Sequence, residues 1–123
     1  MKPSRVLLVV PDLFFASRIA ATAKGLGVEI EEASAPLALE RWQSAAHDLA
    51  IVDLDGGGDP IGLVRALKSE PRAGRVLAFC RHTATDAIKA ARAAGADQVL
   101  PRSALFPNLA SILDAGGVAS SGA

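Results

Sequence analysis

Cysteine is nearly absent from this chain: Cys80 stands alone among 123 residues, beside only two histidines, His47 and His82. One thiol excludes a disulfide framework, and two imidazoles cannot complete a Cys-rich zinc set around it. Aromatic residues are scarce as well, with four Phe, one Trp (Trp42) and no Tyr. Neither sign of charge prevails, since 13 Lys and Arg balance 13 Asp and Glu. Without a cluster of Lys and Arg there is no electrostatic footprint for nucleic acid or for a membrane surface. Long hydrophobic runs are missing too, so no segment is expected to span a bilayer. Met1-Lys2-Pro3 leads directly into a strand-like run, with none of the apolar stretch and cleavage site of a secretory leader, and the expected location is the cytoplasm. A chain of this length buries about two-thirds of its unfolded surface, which is enough for one domain to fold on its hydrophobic core alone.

What is present is an alternation of short apolar runs and longer Ala-rich stretches of helical period, separated by Gly, Pro or Asp. Val6 to Val10 is apolar at every position, as a parallel strand covered on both faces must be. Leu13 to Leu26 follows as a helix with Phe15, Ile19, Ala23 and Leu26 on one stripe, and Gly27 stands where a C-terminal cap belongs. Val28 to Ala33 alternates apolar and acidic residues and suits a strand nearer the sheet edge. Ser34 is positioned to cap a helix through about Ala46, with Pro36 tolerable in its first turn. Leu49 to Val52 is a third strand, ending at Asp53-Leu54-Asp55; after Gly56-Gly57-Gly58, Asp59-Pro60 opens the next helix. Val76 to Cys80 is a fourth strand. Thr83 or Thr85 is expected to open a helix over 86–94 that Gly95 closes. Gln98 to Leu100 makes a short fifth strand, and Ser103 to about Leu113 the last helix. Residues 1–115 form the expected domain, and Gly116 to Ala123 has no apolar pattern and reads as a disordered tail or linker remnant. Strands and helices in strict alternation imply one-handed βαβ crossovers and a doubly wound parallel sheet of the α/β class.

In such sheets chemistry gathers outside the carboxyl ends of the strands. Those ends carry Asp12, Asp53 with Asp55, Cys80 with Arg81, and Arg102. Clustered carboxylates repel one another unless a cation joins them, and a hard divalent ion such as Mg²⁺ suits oxygen donors and bridges to phosphoryl groups. A carboxylate such as Asp53 can itself attack a phosphoryl donor once nearby positive charge offsets the charge that develops; Arg102 would supply it.

The order VLLVV-P-D12, LAIV-D53, VLAF-C80 and GADQVL-P-R102 resembles the bacterial response-regulator receiver domain, a flavodoxin-like (βα)5 module phosphorylated on Asp by histidine kinases. The resemblance covers about residues 4–114 and includes Ala93-Ala94-Gly95-Ala96-Asp97 before the last strand. It implies a five-stranded parallel sheet of order 2-1-3-4-5, the phospho-acceptor at Asp53, a metal-binding acid at Asp12, and a backbone carbonyl at Asp55 as a further Mg²⁺ ligand. Partners implied are a histidine kinase, another receiver or an output protein, with a monomer or a weak dimer through the face of the fourth helix, fifth strand and last helix.

The departures from that family are as informative. Pro11 replaces the first of two adjacent acids, which should weaken metal binding. Cys80 stands where a Ser or Thr usually bonds the phosphoryl group, and a thiol is a weak donor. Arg102-Ser103 replaces the usual Lys before Pro, keeping the charge without the compact ammonium. Val99 replaces the aromatic residue that swings between states, and the triple glycine replaces the usual Met-Pro. The implied protein is a degenerate receiver, or pseudo-receiver: an interaction module with weak or no phosphorylation-dependent switching, and not an enzyme. A fully phosphorylatable single-domain regulator is the alternative. A haloacid-dehalogenase-type phosphatase is a further one, since IVDLDG at 51–56 resembles its nucleophile motif, although that motif normally lies on a first strand. A cysteine phosphatase would need Arg six residues after Cys80, where Asp86 stands. Simpler roles compete at each position: Asp12 and Asp53 as caps, Cys80 as a small buried hydrophobe, Trp42 and the stripe Ala87, Ala90, Ala91 and Ala94 as helix-sheet packing, and the two histidines as helix-end and loop residues.

Overall fold

The computed structural model describes residues 3–71, 74–81 and 83–116. Its strands are β1 (Arg5–Val9), β2 (Glu29–Glu32), β3 (Leu49–Asp53), β4 (Arg75–Cys80) and β5 (Gln98–Pro101). Between and after them run α1 (Leu13–Gly25), α2 (Ala35–Ser44), α3 (Pro60–Ser69), α4 (Thr85–Ala93), α5 (Arg102–Leu105) and α6 (Leu109–Asp114). All neighbouring strands pair in parallel, and the sheet order is β2-β1-β3-β4-β5. The expected flavodoxin-like architecture is therefore the observed one.

Two-sided burial explains the uninterrupted apolar runs. Along β1, Val6 and Leu8, with Val10 just beyond, face a core completed by Ile19 and Ala23 of α1 and by Leu109, Ile112 and Leu113 of α6. Leu7 and Val9 face the opposite core, with Ala38 and Trp42 of α2, Val64 and Leu67 of α3, and Ala91 of α4. Period-two alternation thus feeds two cores from one strand. β2, at the edge, is the least buried strand, and its polar pattern follows from that position. Of the alanine stripe, Ala91 and Ala94 are buried against the sheet side, which is the packing role.

The helix ends are set by local chemistry. Asp12 caps α1 by accepting from the amides of Phe14 at 2.9 Å and Phe15 at 3.2 Å. Asp59 does the same for α3 through Gly62 at 3.0 Å. Gly27 follows α1 with φ of +74°, the left-handed conformation that suits glycine at a helix end. Two expectations are corrected here. Helix α4 is not capped by Thr83 or Thr85; Ala84 holds the N-cap position with no side-chain bond, and Thr85 is already helical. The last helix is not continuous, because Pro107 has no N–H and cannot sustain an α-helical turn, so Phe106–Asn108 tightens to a 3₁₀ turn between α5 and α6.

Trp42 and His47 tie α2 to the sheet. Trp42 is 1% exposed, donates through Nε1 to the Leu67 carbonyl at 3.2 Å, and stacks on the His47 ring at 5.8 Å between centroids. His47, just past the end of α2, is buried: its Nε2 lies 2.7 Å from Glu31 Oε1 and its Nδ1 3.1 Å from the Ala45 carbonyl. That hydrogen bond is the main cause holding the Glu31 carboxyl below its ordinary range, with Arg5 and Arg41 adding to it. His82 and the tail beyond Gly116 lie outside the described residues.

Candidate functional site

The strand register brings the carboxyl ends of the inner strands level. Asp53, the last residue of β3, pairs with Phe79, and Cys80, the last residue of β4, pairs with Pro101 of β5. Asp12 follows β1 after Val10 and Pro11. Residues distant in the chain therefore meet at one rim of the sheet.

Asp53 lies deepest and is 4% exposed. Its Oδ1 accepts from the Asp55 amide at 2.9 Å, while Oδ2 has no hydrogen bond among the described residues. Burial pushes its carboxyl above the ordinary carboxylate value and is the largest influence; the Asp55 amide and Arg102 pull it down, and the charges of Asp55 and Asp12 push it up. One oxygen is fixed and the other is free to act. Asp12 is also within electrostatic reach of Asp53, but its Oδ1 is committed to capping α1. The cap and the candidate site are thus the same residue, using different oxygens.

Because the fold favours the protonated form of Asp53, that residue contributes stability at low pH. The contribution is lost as pH rises from the ordinary carboxylate value through the raised one. Asp53→Asn, which keeps an acceptor for the Asp55 amide without the charge, should raise the melting temperature at neutral pH. The gain should shrink toward zero by about pH 3, below the ordinary carboxylate range. Thermal scans of both proteins from pH 3 to 8 check the sign.

The third acid is engaged by two arginines. Asp55 Oδ2 accepts from the Arg81 amide at 2.9 Å and from Arg102 Nη2 at 3.4 Å, and Oδ1 lies 3.4 Å from Arg81 Nε. The guanidinium of Arg102 rests 4.6 Å above the centroid of the Phe15 ring, a cation–π contact. Arg102, expected to supply positive charge to Asp53, stands at the same rim and draws the Asp53 carboxyl down, while its ion pair is with Asp55. Arg81 and Phe15 enter the site beyond expectation. Arg81 was visible only as a charge at a strand end, and Phe15 only as a member of an apolar stripe.

Cys80 is fully buried, and its side chain belongs to the core shared with α3 and α4. Burial pushes its thiol up, and Asp55 and Asp53 act in the same direction, so it borders the acids as a neutral group. Val99 is packed in that same core. Next to the acids a cavity of about 520 Å³ opens between β1 and α2, lined among others by Pro11, Leu13, Glu32, Ser34, Pro36 and the glycines 56–58. No cluster of three or more His, Cys, Asp or Glu side chains suited to a metal occurs among the described residues.

The architecture of the site can now be set against known proteins. The chain superposes on a response regulator from Thermotoga maritima with a TM-score of 0.74, at 19% identity, over 92% of this chain and 98% of that one. The fold is that of a response-regulator receiver domain. A CheY-like receiver domain protein from Methanospirillum hungatei gives a TM-score of 0.76 at 18% identity, over 92% and 95% of the two chains. A response regulator from Burkholderia pseudomallei gives 0.77 at 19%, over 93% of this chain and 68% of that one, and its structure holds a phosphorylated aspartic acid, a calcium ion and citrate. No family model and no curated protein matches the sequence. In this receiver fold Asp53 ends the central strand, and no helix among the described residues is long and apolar enough to cross a membrane.

Proposed function

We propose that the chain works as a receiver-like module in two-component-type signalling, with Asp53 as a weak phospho-acceptor and protein binding as its main activity. The observation that carries this reading is the half-open Asp53 carboxylate at the end of β3, pinned on one oxygen by the Asp55 amide and free on the other. In a transfer step Asp53 Oδ2 attacks the phosphorus of a phosphohistidine or acyl phosphate. The bond from phosphorus to the donor nitrogen or oxygen breaks, and its electron pair leaves with the donor.

The oxygens at the rim suit a hard divalent cation in kind. Asp12 Oδ2, Asp53 Oδ2 and the Asp55 carbonyl accept no hydrogen bond from the described residues, and they are the groups that would hold Mg²⁺. When bound, the ion supplies positive charge to the phosphoryl oxygens. Two carboxylates and one carbonyl, with Pro11 in place of a further acid, make a loose site that leaves most coordination positions to water.

Switching is expected to be weak for reasons internal to the chain. Cys80, the last residue of β4, offers only a buried thiol, and Val99 has no large ring to move between pockets. A phosphoryl group can shift a conformational equilibrium only through contacts that differ between the two states, and these positions provide few. The partners in this reading are a histidine kinase, another receiver or an output protein, met in the cytoplasm, with the chain a monomer or a weak dimer through the face of α4, β5 and the last helical segment, α5 to α6.

The protein is not an enzyme in its own right in this reading. The phosphatase alternative would need Asp55 as a general acid, yet its carboxylate is shared between two arginines. Incubation with acetyl phosphate and Mg²⁺ separates the two. Labelling that saturates at or below one phosphoryl group per chain, without turnover of a generic phosphomonoester, is the expected result. Sustained turnover would overturn the receiver reading.

A further inference from the structure

Arg102 is the cation best placed to meet new negative charge at the rim, and it is already occupied. Asp55 binds it at 3.4 Å through Oδ2, and the same oxygen takes the Arg81 amide at 2.9 Å. Arg81 Nε closes on Asp55 Oδ1 at 3.4 Å. One carboxylate thus joins the residues that follow β3, β4 and β5. The Arg102 side chain is about one-third exposed, at 33%, while the Asp55 side chain is 18% exposed, so water screens the pair only in part. Arg102 Nε is buried without a hydrogen-bond partner, and the guanidinium lies on the Phe15 ring. The head group is thus held by the flat face of an aromatic ring and by one anion.

We propose that the Asp55 carboxylate is a resident anion that keeps Arg102 from Asp53, so that the guanidinium reaches a phosphoryl group on Asp53 only after Asp55 releases it. The inference rests on the receiver reading of Asp53 and adds a positioning residue to it. Phosphorylation would replace the single negative charge of Asp53 with a phosphoryl group carrying about two, beside Asp12 and Asp55. While Arg102 stays on Asp55, both rim arginines, Arg81 and Arg102, are paired with that carboxylate and neither is committed to the phosphoryl group. The transfer of Arg102 exchanges one anionic partner for another of higher charge, and the ion pair with Asp55 is what must be broken. The carboxylate therefore lowers the apparent affinity of the site for any phosphoryl-like anion by the fraction of molecules in which Arg102 is free.

Asp55→Asn tests this without removing the local scaffold, because the amide oxygen still accepts from the Arg81 amide and the backbone carbonyl is untouched. Beryllium trifluoride with Mg²⁺ serves as the phosphoryl mimic, and its dissociation constant is read from amide shifts in the full chain. Asp55→Asn should tighten binding roughly two- to fivefold, the range set by a partly screened ion pair. The gain should vanish when Arg102→Gln is added, since the effect runs through the guanidinium. A gain of equal size in the Arg102→Gln background would show a general charge effect and overturn the proposal. Unchanged or weaker binding in Asp55→Asn, with wild-type binding intact, would also overturn it while leaving the receiver reading in place. Binding seen only in Asp55→Asn would support it in its strongest form. No response in any of the four proteins would overturn the receiver reading, and this inference with it.

Discussion

Asp53→Asn should bring phosphodonor labelling down to the level of a protein-free control. The expectation follows from the chemistry of one atom. Asp53 Oδ2 ends the central strand with no hydrogen bond among the described residues, and an amide in its place is a far poorer nucleophile. Asp12 is half engaged in capping α1, and the Asp55 carboxylate is held by Arg81 and Arg102, so neither is an equivalent acceptor. Labelling that survives at wild-type level in Asp53→Asn would place the acceptor elsewhere. The same variant should remain folded and melt higher at neutral pH, so loss of label cannot be charged to unfolding.

Trp42→Ala should be the most damaging single change to the fold, destabilising it by about 3–5 kcal/mol. For a domain of this size that corresponds to roughly 10–20 °C in melting temperature. The indole is wholly enclosed, donates to the Leu67 carbonyl and covers His47, and a Cβ placed on Gly74 would come within 2.5 Å of its ring. Truncation therefore opens a cavity, removes the indole hydrogen bond to the Leu67 carbonyl, which keeps only the Glu70 amide at 3.4 Å, and uncovers the buried imidazole. Trp42→Phe retains most of the contact area and loses the hydrogen bond, and should fall about 1–2 kcal/mol below wild type. Because Trp42 is the only tryptophan, chemical denaturation is followed by circular dichroism in both variants. A loss under 1 kcal/mol in Trp42→Ala would contradict the packing described here.

The sheet could be read from the chain because each inner strand is apolar at every position, and only burial on both faces explains that. β2 announced its edge position through its glutamates. The resemblance supplied the strand order, which periodicity alone does not contain. What the sequence did not disclose depends on rotamers and on tertiary contacts. Arg102 and Asp55 lie 47 residues apart, and nothing in their spacing says which acid the guanidinium selects. His47 looks like a polar residue after a helix, yet it is buried because Trp42 covers its ring and Glu31 on another strand meets its nitrogen. The break at Pro107 is a local effect, because the missing N–H interrupts the last helix at Phe106–Asn108.

The central claim is that Asp12, Asp53, Asp55 and Arg102 form one phosphoryl-responsive rim despite their separation in sequence. Titration of isotopically labelled protein with beryllium trifluoride and Mg²⁺, followed by amide shifts, tests it most directly. The account predicts saturable but small shifts confined to residues 12–15, 53–58, 80–81 and the start of α5, appearing only at high Mg²⁺. Large shifts spreading across the α4 and β5 face at low Mg²⁺ would contradict the weak switching assigned here, and shifts centred away from Asp53 would contradict the site itself.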